Sequence, residues 1–345
     1  MRVFSYHNKR IMRRILLIVL IAAAALAVLI VCRFAYLGRF VKYDSDGAHL
    51  DYGQKLSPTM TDPPESEAGS FPFETIVDPG DPDTTELAAK QLSGYYITTD
   101  MLAKDVNAVR EALAQSDGYN TVMIDVKSVY GNFYYSSKLS GAVQSSADIH
   151  AVDALIAELT DRKDLTVIAR VPAFSDPNYA LAHQQQGIPL WSGALWTDEN
   201  GCYWMNPYSN DVQGWLSSIA IELEDLGFDE VLFDNFYFPV SDNIGWNDPD
   251  VTTRDAILDA AESIAANLSG NRIRVDYGTD DPEIAAFAAR AFAVRNDPAD
   301  AAALAEDMAA VLEDTAASLV FLTDSHDTRF ETCGVLRPLI SEYTE

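Results

Sequence analysis

The sequence predicts an α/β fold, a (β/α)8 TIM-type barrel, irregular in its last strands, behind an N-terminal transmembrane helix and a disordered linker. Three observations carry this. From Gly94 onward, short apolar strands alternate with helix-like stretches, the pattern of a parallel sheet. Up to eight such strands occupy about 250 residues, the usual size of this barrel. Each strand has one apolar face and a second face that turns charged near its C-terminal end, as an inside and an outside require. The runner-up is an open doubly wound sheet. No G-x-G-x-x-G or Walker A loop follows a strand, so a nucleotide-binding version lacks its motif.

The chain opens with Lys/Arg and no acid. Eight of its 24 basic residues precede Tyr43, leaving 16 against 52 acids. So acidic a body argues against nucleic-acid binding, which needs cations to neutralise phosphates. Ile15 to Cys32 is a run of 18 apolar residues, close to the ~20 that span a bilayer. Five basic residues before it place the N-terminus inside the cell and the remainder outside. A signal peptide would have an apolar region of only ~7–15 residues. The expected organisation is a basic cytoplasmic tail over 1–14, a membrane helix over 15–36, a linker over 37–92 and a barrel over 93–345. Between Tyr43 and Leu92 lie six of the fifteen prolines and eleven acids against two lysines. That composition reads as a tether, and a coil of ~50 residues spans roughly 40 Å.

Strands are expected at 94–98, 121–127, 165–171, 230–234, 272–277, 290–295, 319–324 and, weakly, 335–340. Helices are expected near 101–116, 150–161, 211–226, 253–267, 283–289 and 300–316. Parity along the strands sets Val122, Ile124 and Val126 against Met123, Asp125 and Lys127. It sets Val231 and Phe233 against Glu230, Leu232 and Asp234, and Ile273, Val275 and Tyr277 against Arg274 and Asp276. If the apolar faces turn outward, Asp125, Lys127, Arg170, Asp234, Asp276 and Asp324 converge inside the top of one barrel. Buried charges must pair or reach water, so the cluster is either an ion-pair network or a cleft.

Acids on neighbouring strands, ~4.8 Å apart, can take the ~5–5.5 Å separation of a retaining glycosidase pair. Asp234 is then the nucleophile or charge stabiliser, Asp276 the acid/base and Asp324 a third acid. Asp125, Lys127 and Arg170 position substrate and tune the acids. All five tryptophans, including Trp196 and Trp204, lie between residues 191 and 246, where aromatic faces can meet sugar rings. Asn235 and Tyr237, just after Asp234, join the expected substrate-binding set.

The order GYYIT, NTVMIDVKSVYGNFYY, VIARVPAFSDPNYA, WTDENGCYWMNP and GFDEVLFDNFYFP resembles the glycoside-hydrolase-like barrels of bacterial envelopes. That family is largely of unknown function and distantly like the α-amylase-type barrels. The resemblance covers about 94–280. It implies a TIM barrel, often behind a membrane anchor, with Asp234 as the strand-four aspartate. Asp125, Lys127, Arg170, Asp176, Trp204 and Asn206 match other motif positions, and VDYG at 275–278 is a looser match to the strand-five aspartate. FLTDSHDTRF at 321–330 departs from the proline- and tyrosine-rich motif expected late in the barrel, so the likeness does not extend to Asp324.

Other chemistries lack support. The five histidines form no H-x-x-x-H or H-E-x-x-H pair, so neither a metal nor another cofactor is expected. There is no G-x-S-x-G elbow. Cys202 and Cys333 fall at opposite ends of the predicted barrel and are expected to be free thiols. The expected protein is a membrane-anchored glycoside hydrolase acting outside the cell on wall or surface polysaccharide. The alternative is a non-catalytic glycan-binding or scaffold barrel.

Overall fold

The computed structural model describes residues 41–44, 47–50, 90–246, 248 and 250–340. The expected membrane helix at 15–36 and most of the linker lie outside these. Among the described residues no helix is long and apolar enough to cross a membrane. Within the stretch read as linker, Val41–Asp44 pairs antiparallel with Gly47–Leu50. A hairpin stands there because two residues suffice to reverse two short strands.

The chain from Ser93 builds a closed eight-stranded parallel barrel. Its strands are β1 (Ser93–Ile97), β2 (Thr121–Asp125), β3 (Thr166–Pro172), β4 (Glu230–Asp234), β5 (Arg274–Gly278), β6 (Ala291–Val294), β7 (Leu319–Leu322) and β8 (Gly334–Pro338). Each expected strand is present, the weak eighth included. Each pairs with its sequence neighbour, and β8 closes on β1 with Leu336 opposite Gly94. An open sheet is thereby excluded.

The parity argument holds. Met123, Ile168, Leu232, Phe292, Val320, Leu322 and Leu336 pack together as the interior layer, with Leu92 in the same cluster. Val122, Ile124, Val167, Val231 and Phe233 pack outward with helix residues such as Val152, Leu216 and Ile264. The major helices are α1 (Val106–Gln115), α2 (Ile149–Thr160), α3 (Asn210–Asp225), α4 (Thr253–Leu268), α5 (Pro282–Ala285) and α6 (Pro298–Met308).

Caps explain where the helices differ from expectation. The helix expected over 101–116 is broken at Asp105, whose carboxylate accepts from the N–H groups of Asn107 and Ala108 and starts a new helix. The helix expected over 300–316 stops at Met308. A second short turn then starts at Asp314, which accepts from the Ala317 N–H. The helix expected over 283–289 is only α5. Two boundaries matter for the site. Gly227, at φ 91°, ends α3 and feeds β4. Thr252 and Asp255 form a capping box that starts α4, placing Arg254 in its first turn.

Candidate active site

Asp234 ends β4 on the inward-facing row, and its side chain is 27% exposed. Its Oδ1 accepts from the Asn235 N–H at 2.8 Å. Asn235 itself sits at φ 53°, a left-handed conformation uncommon for a residue with a side chain. Such strain concentrates at functional sites. The turn aims the following loop across the top of the barrel. Asp234, Asn235 and Tyr237 line a cavity of about 470 Å³ that extends over the ends of β5, β6 and β7.

Behind Asp234 stands an ion-pair network. Arg170 on β3 donates from Nε and Nη2 to both oxygens of Asp125 on β2, each at 2.6 Å. Its Nη1 lies 3.7 Å from Asp234 Oδ2. Burial pushes the Asp125 carboxyl above the usual aspartate range, and the Arg170 guanidinium opposes that shift. Tyr96, on the inner face of β1, lies over the guanidinium at 5.6 Å from the ring centre. Its phenol is raised chiefly by burial. Sequence reasoning missed Tyr96, although the inner row of β1 carried it.

Other expected site residues lie elsewhere. Lys127 and Asp176 form a 3.0 Å salt bridge with side chains 0% and 2% exposed. Asp176 also caps the helix Pro177–Ala182 by accepting from the Tyr179 N–H. This pair ties the loop after β3 to the loop after β2 and does not face the cavity. The strand geometry ends at Asp125, so the alternation that put Lys127 on the rim no longer applies two residues later. Trp196 and Trp204 are buried, and the Trp204 indole N–H donates to Asp198 at 3.0 Å. Trp204 still serves the site indirectly, because the half-exposed ring of Tyr237 rests on it at 5.2 Å between centres. Asn206 spends its side chain on the Tyr208 N–H in its own loop.

Asp276 requires a correction. It does face inward, but it pairs across from Leu232, one layer below Asp234. It is 0% exposed, beside Glu230, Arg274 and Arg290. Both guanidinium groups bond Glu230 instead, and neither oxygen of Asp276 receives a hydrogen bond. Burial, and then the Glu230 carboxylate, push the Asp276 carboxyl well above the usual range. A protonated Asp276 donating to Glu230 satisfies this arrangement. The inward position of β5 level with Asp234 is Gly278, where a Cβ would stand 2.5 Å from Asp234 Oδ1. Parity correctly placed Asp276 on the inner face and could not give its height. Asp324 is exposed and lines a different groove with His326 and Arg337.

The cavity holds groups that sequence reasoning did not select. Asp280 lines it and pairs with Arg295 at 3.0 Å. Asp281 caps α5 and binds Arg254. The T-D-D-P run after β5 was the available clue. Cys202 and Cys333 are free and buried, as expected from their separation. Among the described residues no cluster of metal-binding side chains occurs.

No curated protein matches the chain. Among solved structures, a hypothetical protein from Ruminiclostridium thermocellum is 25% identical, over 53% of this chain and 96% of that one, with a TM-score of 0.46. An α-galactosidase from Lactobacillus brevis aligns over 74% of this chain and 38% of its own, at 9% identity and a TM-score of 0.50. One from Geobacillus stearothermophilus aligns over 76% and 42%, at 13% identity and a TM-score of 0.50. The likeness to the two galactosidases is one of fold. The family described as "Putative glycosyl hydrolase domain" matches residues 94–308, more than half the chain, and the protein belongs to that family.

Proposed function

We propose that the barrel hydrolyses glycosidic bonds, with the Asp234 carboxylate meeting the positive charge that develops at the anomeric carbon. The observation that carries this is the placement of Asp234. It ends a barrel strand, opens onto a 470 Å³ cavity, and is backed by the Arg170–Asp125 pair and a strained Asn235. The C-terminal rim is where such barrels keep their chemistry. Tyr237 offers a half-exposed ring face beside the carboxylate, suited to a sugar's apolar face. Arg170 keeps Asp234 company as a cation, and Asp125 holds Arg170 in place through two parallel hydrogen bonds.

Asp234→Asn tests the reading. Against nitrophenyl glycosides and labelled wall polysaccharides, the variant is expected to lose at least ~1000-fold in kcat/KM, the scale of removing a nucleophile. Equal turnover by variant and wild type would remove Asp234 from the mechanism. One observation favours the rival, a glycan-binding barrel without catalysis: the rim position of β5 is Gly278, not an acid. On that reading, wild type and variant bind polysaccharide and neither cleaves it.

The apolar run at 15–32 supports a membrane anchor, with the barrel outside the cell and wall or surface polysaccharide as substrate. The full chain is then expected in the membrane fraction after carbonate washing. Protease added to intact cells should remove the barrel. Recovery of the intact full chain in the carbonate supernatant overturns the anchor.

A further inference from the structure

The hydrolase reading leaves Asp234 without a second carboxyl group, because Asp276 is sealed beneath it. Among the described residues three acids line the cavity: Asp234, Asp280 and Asp281. Asp281 is committed elsewhere. It accepts from the Glu283 N–H at 2.9 Å, caps α5 and is clamped by Arg254. Asp324 opens onto another groove. Asp280 has a side chain 68% exposed, and its ion pair with Arg295 is at the surface. Surface pairs of this kind are weak and readily exchanged for a ligand.

Gly278 fixes the distance. Its backbone comes so close to Asp234 that a Cβ there would lie 2.5 Å from Oδ1 and 3.1 Å from Asp234 Cα. Asp280 is two residues further on, so its Cα lies within ~7 Å of Gly278 Cα. That reach leaves its carboxyl no more than ~14 Å from Asp234 Oδ1, a span that includes the ~5–5.5 Å of a retaining pair. We infer that Asp280, rather than Asp276, is the acid/base partner of Asp234, on the loop after β5.

This rests on the hydrolase reading above. In the first step Asp280, exchanged from Arg295 to the bound sugar and protonated by water, gives that proton to the glycosidic oxygen. The bond between that oxygen and the anomeric carbon breaks, its electron pair leaving with the oxygen. The Asp234 carboxylate bonds to the anomeric carbon. In the second step water gives a proton to Asp280 and its hydroxyl to the anomeric carbon, which releases Asp234. The solvent exposure of Asp280 suits a group that must exchange a proton in every cycle.

The test compares Asp280→Asn, Asp276→Asn and Asp234→Asn in the full-length protein. The probes are nitrophenyl and dinitrophenyl glucosides, galactosides and N-acetylhexosaminides. On the poorer leaving group Asp280→Asn should lose ~100–10,000-fold in kcat/KM, the usual contribution of a general acid. On the dinitrophenyl glycoside, which leaves without a proton, the loss should be under ~10-fold. Azide should raise its turnover and yield a glycosyl azide. Asp276→Asn should stay within ~3-fold of wild type on both substrates. If Asp280→Asn matches wild type while Asp234→Asn is inactive, Asp280 is not the partner and the hydrolase reading stands. An Asp276→Asn variant with the leaving-group dependence expected for Asp280 would likewise overturn the inference. If wild type cleaves no probe, or Asp234→Asn matches it, the hydrolase reading falls and the role of Asp280 with it.

Discussion

Asp276 shows how far a single residue's role depends on height in the barrel. Two residues along one strand separate a solvent-reachable rim from a sealed layer. Its oxygens receive no hydrogen bond, and Glu230 is its nearest acidic neighbour. The carboxyl is therefore held neutral by burial and by that neighbour. Because its folded pKa lies above the unfolded one, its favourable contribution is present below the unfolded value near pH 3.9. It is lost as pH rises through the folded value. At neutral pH, well above the unfolded value, keeping Asp276 protonated in the folded state is therefore destabilising. Asp276→Asn, whose amide can donate to Glu230 at any pH, should therefore gain stability over wild type at pH 7 and little at pH 4. Urea unfolding at the two pH values measures this. Equal differences at both would show that Asp276 is not the group that titrates.

At the scale of elements, the site is made where β4 and β5 lie side by side. The close approach of Gly278 to Asp234 lets the end of β5 pass beneath the carboxylate. Gly278→Ala puts a methyl group into that contact. The carboxylate can swing aside, but the Asp234 Cα, 3.1 Å from the added methyl, must also shift, so the fold should lose about 1 kcal/mol. The displaced carboxylate should lose about 100-fold in kcat/KM, the effect of a misplacement near 1 Å. Thermal melting and kinetics on the same preparation separate the two. A large drop in melting temperature would place the glycine's role in folding instead. The loop after β3 works differently. Its buried Lys127–Asp176 bridge and Trp196–Trp204 contact build a rigid wall, and Tyr237, on the loop after β4, rests on that wall and lines the cavity.

At the scale of the molecule, the barrel closes on itself through β8 and β1, so its core depends on no partner strand. Closure removes the sheet edges that would otherwise need covering. The barrel lies wholly within the unit Val77–Glu345. A fragment of residues 77–345 should therefore fold by itself and melt in one cooperative transition. Calorimetry of the fragment decides it, and the lack of such a transition would mean that the barrel needs the residues before it to fold.

The eight strands, their order, their inward and outward faces and the place of Asp234 were legible in the sequence, because side-chain alternation and helix caps are local. Which acids share a cavity was not. That follows from register between strands distant in the chain, which set Asp276 opposite Leu232 and left Gly278 level with Asp234. Whether a charged loop residue turns inward, as Lys127 and Asp176 do, or opens to the cleft, as Asp280 does, follows from the partner it meets there. Local pattern determines the barrel; tertiary contact alone decides which carboxylates can act together.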